Sequence, residues 1–153
     1  MIAPEHHEHW MRAALDEARA AIAHDDVPIG AVVVSDQGEI LGRGHNEREL
    51  REDPTAHAEI LALRAAAARL GTWRVLEATL YVTLEPCTMC AGAIVLSRIP
   101  RVVYATPDPK AGAVDSVLHV LSDPHLNHRP EVLSGILSTD AADLLRSFFR
   151  ARR

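Results

Sequence analysis

The sequence has only two cysteines, few aromatic residues and no long apolar run, and each shortage excludes a class of protein. Two cysteines among 153 residues cannot form the disulfide framework of a small secreted scaffold. Its apolar runs, such as 31–34 and 93–96, fall far short of the roughly 20 residues that cross a bilayer. The first nine residues lack a basic segment followed by an apolar core, so no signal peptide is predicted. We expect a single domain over residues 1–153, a cytoplasmic location and no membrane partner.

An excess of positive charge is also missing, because the formal net charge is −5. That sign disfavours a generic nucleic-acid binder, and we expect no DNA partner. The charge is unevenly distributed, however. Residues 1–53 carry 5 basic and 12 acidic side chains, whereas residues 54–153 carry 11 basic and 9 acidic ones. The last eight residues hold four arginines and no acid, so a polyanion would contact the C-terminal half.

Hydrophobic periodicity and turn residues predict an alternation of helices and strands. Helices are predicted at 7–23, 58–69, 86–96, 116–121 and 139–150, and strands at 29–34, 39–46, 80–83, 102–105 and 132–133. The early histidines are interrupted by acids and are interpreted as a solvated lead-in. Gly71 is predicted to cap the second helix. Because strands joined through helices pair in parallel, we predict a three-layer α/β/α domain. Its mixed five-stranded sheet has one antiparallel hairpin at the edge.

Two short segments carry residues with a chemical function. They are His57-Ala58-Glu59 and Pro86-Cys87-Thr88-Met89-Cys90. Histidine nitrogen and cysteine sulfur are preferred zinc ligands, and a helix N-terminus favours the thiolate form that zinc requires. His57, Cys87 and Cys90 make three ligands and leave a fourth position for water, which is the catalytic arrangement. We therefore expect one zinc ion per subunit.

The carboxylate of Glu59 could transfer protons to and from a water molecule at such a centre. Residues i and i+2 do not share a face of a regular helix, so His57 and Glu59 can converge only at its very start.

Each motif alone has other interpretations. A Cys-x-x-Cys pair also occurs in redox sites and in structural zinc knuckles, and His-Ala-Glu is common by chance. The joint pattern is far more specific, and it is the known signature of zinc deaminases.

At these motifs the chain resembles the cytidine-deaminase superfamily, and most closely the bacterial tRNA-specific adenosine deaminases. The resemblance covers nearly the whole chain, with matching segments at 27–32, 53–60, 79–87, 89–94, 97–99, 127–129, 135–137 and 148–150. It implies a cytidine-deaminase-like fold, a homodimer and the anticodon stem-loop of an arginine tRNA as partner. The implied reaction is hydrolytic deamination of the wobble adenosine to inosine, with zinc-activated water attacking C6 of a flipped adenine.

The resemblance also implies a role for individual residues. Glu59 is the catalytic proton shuttle, Asn46 hydrogen-bonds the flipped base, and the backbone N–H of Ala58 stabilises the attacking oxygen. Seven further positions match residues near the anticodon loop: Asp108, Lys110, Asn127, Phe149, Arg150, Arg152 and Arg153.

Several alternatives remain open at the level of sequence. Asn46 could be a strand-end turn residue, and the terminal arginines could form a solvated helix face. Phe148 and Phe149 could pack in the core, and we expect at least one of them to do so. A deaminase of a free base or nucleoside, such as guanine or cytosine, is the alternative enzyme. A zinc-binding module that binds RNA without catalysis is a third reading, which the spare carboxylate of Glu59 disfavours.

Overall fold

The computed structural model describes residues 4–152. The helices are α1 (Pro4–Ala21), α2 (Ala58–Leu70), α3 (Thr88–Ser97) and α4 (Ser138–Arg150). The strands are β1 (Gly30–Ser35), β2 (Ile40–His45), β3 (Ala78–Leu84), β4 (Arg101–Thr106) and β5 (Glu131–Ser134). Single 3-10 turns occur at Ile22–His24 and Val120–Ser122. Over this part of the chain, no helix combines the length and apolarity that a membrane span requires.

The strands of the described residues form one sheet in the order β2-β1-β3-β4-β5. Strand β1 is antiparallel to both of its neighbours, whereas β3, β4 and β5 run parallel to one another. A tight turn at 36–38 joins β1 to β2 and leaves β2 at the edge. The predicted mixed five-stranded sheet with an antiparallel hairpin edge is therefore confirmed.

Helices cover both faces of this sheet. Successive side chains in a strand point to opposite faces, so each strand contributes to two cores. Val33 and Leu80 pack with residues of α2 and α3 on one face. Val32 and Tyr81 pack with residues of α1 and α4 on the other face. Full burial of such a side chain contributes about 1.5–3 kcal/mol to the stability of the fold. Helices on both faces of the sheet confirm the predicted three-layer α/β/α architecture.

Two glycines in β2 let α2 approach the sheet unusually closely. A Cβ added at Gly42 would lie 2.2 Å from the Ala62 carbonyl oxygen, and one added at Gly44 would lie 2.4 Å from the Ala58 carbonyl oxygen. Real side chains do not tolerate such distances, so the bare backbone of β2 is required beneath the helix. The first turn of α2 is consequently held against the sheet at Gly44.

The predicted helix at 116–121, between β4 and β5, is wrong. The chain there forms turns that wrap around the buried carboxylate of Glu85. That carboxylate accepts hydrogen bonds from four backbone N–H groups, those of Asp108, Val114, Asp115 and Ser116. The next two N–H groups, of Val117 and Leu118, both donate to the Gly112 carbonyl oxygen. These backbone N–H groups thus donate to the Glu85 carboxylate and to the Gly112 carbonyl oxygen, so no α-helix forms in this segment.

The N-terminal helix begins earlier than predicted. It starts at Pro4, a residue whose fixed φ angle and missing N–H suit the first turn of a helix. The early histidines thus belong to the helix and are not a lead-in to it, although His6 and His9 are exposed as expected. His7 lies within α1, and its Nδ1 is 2.8 Å from the Tyr81 hydroxyl oxygen.

The close approach of α2 to β2 yields a stability prediction. Gly44→Ala should destabilise the protein, because overpacking of this kind costs about 1–3 kcal/mol. We expect the midpoint of thermal unfolding to fall by on the order of 5 °C. The matched control is Gly92→Ala in α3, where an added Cβ would meet no described atom within 4 Å. That change should leave the midpoint unchanged or raise it. An unchanged midpoint for Gly44→Ala would contradict the close approach.

Candidate metal and catalytic site

The histidine and glutamate of the first motif lie at the beginning of α2. His57 is the N-cap residue, with an extended backbone at φ −80° and ψ 152°, and Glu59 lies in the first turn. The helical ladder starts directly afterwards, since the Leu61 N–H donates to the His57 carbonyl oxygen at 3.1 Å. The change of backbone conformation between the two residues brings both side chains into the same cleft, as the sequence predicts.

The two cysteines lie at the beginning of α3. Cys87 is the N-cap residue, with extended backbone angles of φ −78° and ψ −179°. Cys90 follows in the first turn and is fully buried. Both sulfur atoms are therefore at the positive end of a helix dipole, which favours thiolate over thiol.

The nitrogen of His57 and the sulfurs of the two cysteines form a triangle. The Nδ1 atom of His57 is 3.5 Å from the Sγ atom of Cys87 and 3.5 Å from that of Cys90. Around a tetrahedral zinc ion, a nitrogen at about 2.1 Å and a sulfur at about 2.3 Å would lie about 3.6 Å apart. The donor set and its spacing therefore fit zinc. Within residues 4–152, no other group of three His, Cys, Asp or Glu side chains brings its ligand atoms within 4.8 Å of one another.

The two thiols of the triangle differ in acidity. A hydrogen bond from Cys90, together with one from His57, lowers the pKa of Cys87 to about 3. The same contact with Cys87, together with burial, raises the pKa of Cys90. The hydrogen bond to Cys87 also raises the pKa of His57. Zinc binds cysteine as thiolate, so binding of the ion to these ligands would displace any thiol proton that remains.

Glu59 lies beside the triangle and is not one of its members. Its side chain is buried, with only 4% of the residue exposed. Burial raises its pKa to about 7, because removal from water disfavours the charged form. A carboxyl group with a pKa near the working pH can both accept and donate a proton.

These residues open onto a cleft of about 480 Å³, a size typical of small-molecule sites. The cleft is bounded by the loop after β2, the first turn of α2, the loop after β4 and one face of α4. Its other lining residues are Val27, Ile29, Asn46, Arg48, Ala58, Leu84, Glu85, Pro107, Asp108, Pro109, Lys110, Ala111, Leu145 and Phe149.

Five of the predicted substrate residues line this cleft, namely Asn46, Ala58, Asp108, Lys110 and Phe149. Asn46 is 5% exposed and is tied to the backbone on both sides. Its Nδ2 donates to the Val27 carbonyl oxygen at 3.3 Å, and its Oδ1 accepts from the Arg48 N–H at 3.1 Å. Phe148 is buried whereas Phe149 is 49% exposed, which confirms that one of the pair packs in the core.

The remaining predicted positions are Asn127, Arg150, Arg152 and Arg153, the last of which lies outside the described residues. Asn127 and Arg150 are exposed and do not line the cleft. Arg152 is engaged within the chain. Its guanidinium carbon lies 3.5 Å from the centre of the Phe148 ring, and its Nε donates to the Asp25 carboxylate at 2.9 Å.

Several residues that line the cleft were not predicted from the sequence, among them Leu145, Glu85 and Arg48. Leu145 could have been found, because it lies four residues before Phe149 and therefore on the same face of α4. Glu85 could have been suspected as a charged residue at the end of an apolar strand, directly before Pro86-Cys87. Arg48 has no distinguishing signal, since it lies in a loop that is charged throughout.

Comparison with known proteins agrees with the fold. The chain matches the MafB19-like deaminase family over residues 5–153. It is 47% identical to the tRNA-specific adenosine deaminase of Streptococcus pyogenes serotype M1 over 149 residues. The match covers 97% of this chain and 86% of the relative.

Solved structures show the same relationship. One comes from a study of A-to-I editing by tRNA:A34 deaminases at the wobble position of transfer RNA. It has a TM-score of 0.86 and 49% identity, and it covers 90% of this chain and 99% of the solved one. A guanine deaminase from Nitrosomonas europaea is more distant, with a TM-score of 0.81 and 29% identity over 97% of this chain and 85% of that one. The chain therefore belongs to the MafB19-like deaminases and, among them, to the family of the tRNA-specific adenosine deaminases.

Proposed function

We propose that this protein hydrolyses the exocyclic amine of adenosine at the wobble position of an arginine tRNA and leaves inosine. The observation that carries the proposal is the three-ligand triangle with a buried carboxylate, Glu59, beside it in a cleft. A structural metal site has four protein ligands and no use for such a carboxylate. The relatives named above support the same substrate. We further propose that the protein acts as a homodimer in the cytoplasm.

His57, Cys87 and Cys90 would hold one zinc ion per chain. When bound, zinc lowers the pKa of a water molecule from about 15.7 to about 7 and so supplies hydroxide at neutral pH. Glu59 would accept one proton from the attacking water and deliver it to N1 of the adenine. Once the oxygen is bonded to C6, Glu59 would accept the second proton of that oxygen and deliver it to the amine, whose bond to C6 then breaks. Adenosine and water are thereby converted to inosine and ammonia, while the backbone N–H of Ala58 donates to the attacking oxygen.

The rim of the cleft would bind the RNA. A stacked base cannot reach the buried Glu59, so the substrate has to be a loop whose base can turn out. In our proposal Asn46 hydrogen-bonds this base, and the exposed ring of Phe149 gives neighbouring bases a surface on which to stack. Asp108 and Lys110 would contact the loop beside the base. Asn127 and Arg150 would contact the RNA further out, whereas Arg152 serves first to fix the end of α4.

A free-base deaminase is the second candidate, favoured by the similarity to a guanine deaminase. The purified protein tested on an arginine-tRNA anticodon stem-loop, free guanine and free cytidine distinguishes the two. We expect inosine in the stem-loop and no ammonia from the free compounds. Ammonia released from guanine, with an unchanged stem-loop, would replace our proposal with the second candidate.

The assignment of Glu59 predicts a variant that separates binding from chemistry. Glu59→Gln keeps the size of the side chain but cannot transfer protons. We expect deamination to fall at least 10²–10⁴-fold, the usual contribution of a general acid–base group, while zinc content and stem-loop affinity stay unchanged. Glu52→Gln, an exposed carboxylate outside the cleft, is the matched control. If Glu59→Gln kept a tenth of wild-type activity, another group would be the proton shuttle.

The exposed end of α4 yields a prediction on salt dependence. Arg150 forms no ion pair within the described residues, so its guanidinium is available to a phosphate. Arg150→Gln should weaken stem-loop binding and lower the slope of log affinity against log salt by about 0.7–0.9. Arg43→Gln is the control for net charge, because Arg43 is exposed on β2 and does not line the cleft. Equal salt slopes for wild type and Arg150→Gln would show that Arg150 is only a solvated residue.

A further inference from the structure

One buried acid lies next to the cleft and has no part in the chemistry derived above. Asp26 is 1% exposed, although it follows a short 3-10 turn at the surface of the protein. The preceding residue, Asp25, adopts a left-handed conformation with φ 65° that turns the chain inward. Burying a carboxylate is costly unless donors surround it, so its partners indicate what it does.

The donors to Asp26 come mainly from the loop after β2. Its Oδ1 accepts the Glu49 N–H at 2.7 Å, and its Oδ2 accepts the Leu50 N–H at 3.1 Å. His24 provides a third partner, with Nδ1 2.6 Å from Oδ2. Burial acts to raise the pKa of Asp26, but these hydrogen bonds outweigh it and hold the pKa below its usual value. The group is therefore a carboxylate that ties two loop amides to the segment before β1.

The loop fastened in this way carries residues of the cleft. Arg48 directly precedes Glu49 and Asn46 lies three residues before it, and both Asn46 and Arg48 line the cleft. The residues that follow Asp26 fasten the start of the same loop, since the Val27 carbonyl accepts the Asn46 side-chain amide. The Ile29 carbonyl also accepts the Asn46 backbone N–H, at 3.0 Å. Residues 26–29 therefore hold Asn46 from one side and Glu49 from the other.

His24 supports this arrangement from behind. Its ring is stacked on that of His45 with centroids 5.3 Å apart, and His45 is the last residue of β2. The carboxylate of Asp26 thus bonds to a ring that rests on the residue directly before Asn46. The contacts form a closed path from Asp26 through His24 and His45 to Asn46, and from there through the loop back to Asp26.

We propose that Asp26, oriented by His24, is a positioning residue that holds Asn46 and Arg48 in the geometry in which they bind the substrate base. This inference rests on the proposed function. It assigns to Asp26 an effect on substrate binding, exerted through Asn46, and no contact with the reacting atoms. A merely structural carboxylate would affect unfolding alone.

The test is Asp26→Asn, which keeps the shape but turns one acceptor oxygen into an N–H donor that faces a loop amide. We expect KM for the anticodon stem-loop to rise about tenfold, the equivalent of one lost hydrogen bond to a charged group. We expect kcat to stay within about threefold and zinc content to stay unchanged. Hydrogen exchange at the Glu49 and Leu50 amides should accelerate. That readout needs no substrate, so it separates failure of this inference from failure of the proposed function.

A control and a double variant complete the experiment. Asp123→Asn alters a carboxylate that likewise accepts a backbone N–H, from His125 at 2.8 Å, but that is partly exposed and lies outside the cleft. It should change neither KM nor kcat. Combined with Asn46→Ala, Asp26→Asn should lower kcat/KM by clearly less than the product of the two single effects, because both act through one contact. Multiplicative effects, or an unchanged KM for folded Asp26→Asn, would overturn the proposal.

Discussion

The donor triangle requires two helices to begin close together, because His57 is the N-cap residue of α2 and Cys87 is the N-cap residue of α3. The Nδ1–Sγ distance of 3.5 Å between these residues depends on both helices lying against the same face of the sheet. Helix α3 follows β3 after only three residues. Helix α2 returns from the edge strand β2, and it reaches the right depth because Gly42 and Gly44 leave room for its backbone. The donor triangle is therefore a consequence of how closely the helices pack.

Three buried carboxylates around this centre show how environment assigns different tasks to similar side chains. Glu59 has few donors, and burial raises its pKa to about 7, which suits proton transfer. Glu85 is also buried, but the N–H groups of the loop after β4 outweigh the burial and lower its pKa to about 2. Asp26 is held as a carboxylate in the same way. One acid is left free to exchange protons, and two act as permanent acceptors that shape the loops beside it.

The sequence predicts those parts that local patterns determine. Strand periodicity predicts the sheet, Gly71 is found in the left-handed C-cap conformation of α2, and the two motifs begin helices as expected. The loop after β4 could not be predicted, because its course depends on Glu85, which is more than 20 residues away in the chain.

The same reason applies to the residues that hold the rim of the cleft. Asp26 bonds to amides 23 and 24 residues away, and Arg152 pairs with Asp25 across 127 residues. No short pattern marks such a contact, since each partner alone reads as an ordinary solvated charge. The donor triangle was predictable because its members lie in two motifs with chemical meaning. The hydrogen bonds that support it were not.

A zinc centre with three protein ligands and one open position, set where two helices begin, can be examined by X-ray absorption at the zinc edge of the purified protein. We expect one zinc ion per chain with two sulfur neighbours at about 2.3 Å and two nitrogen or oxygen neighbours at about 2.0–2.1 Å, one from His57 and one from water. A spectrum with four protein ligands and no exchangeable oxygen, or a protein that binds no zinc, would rule out this centre.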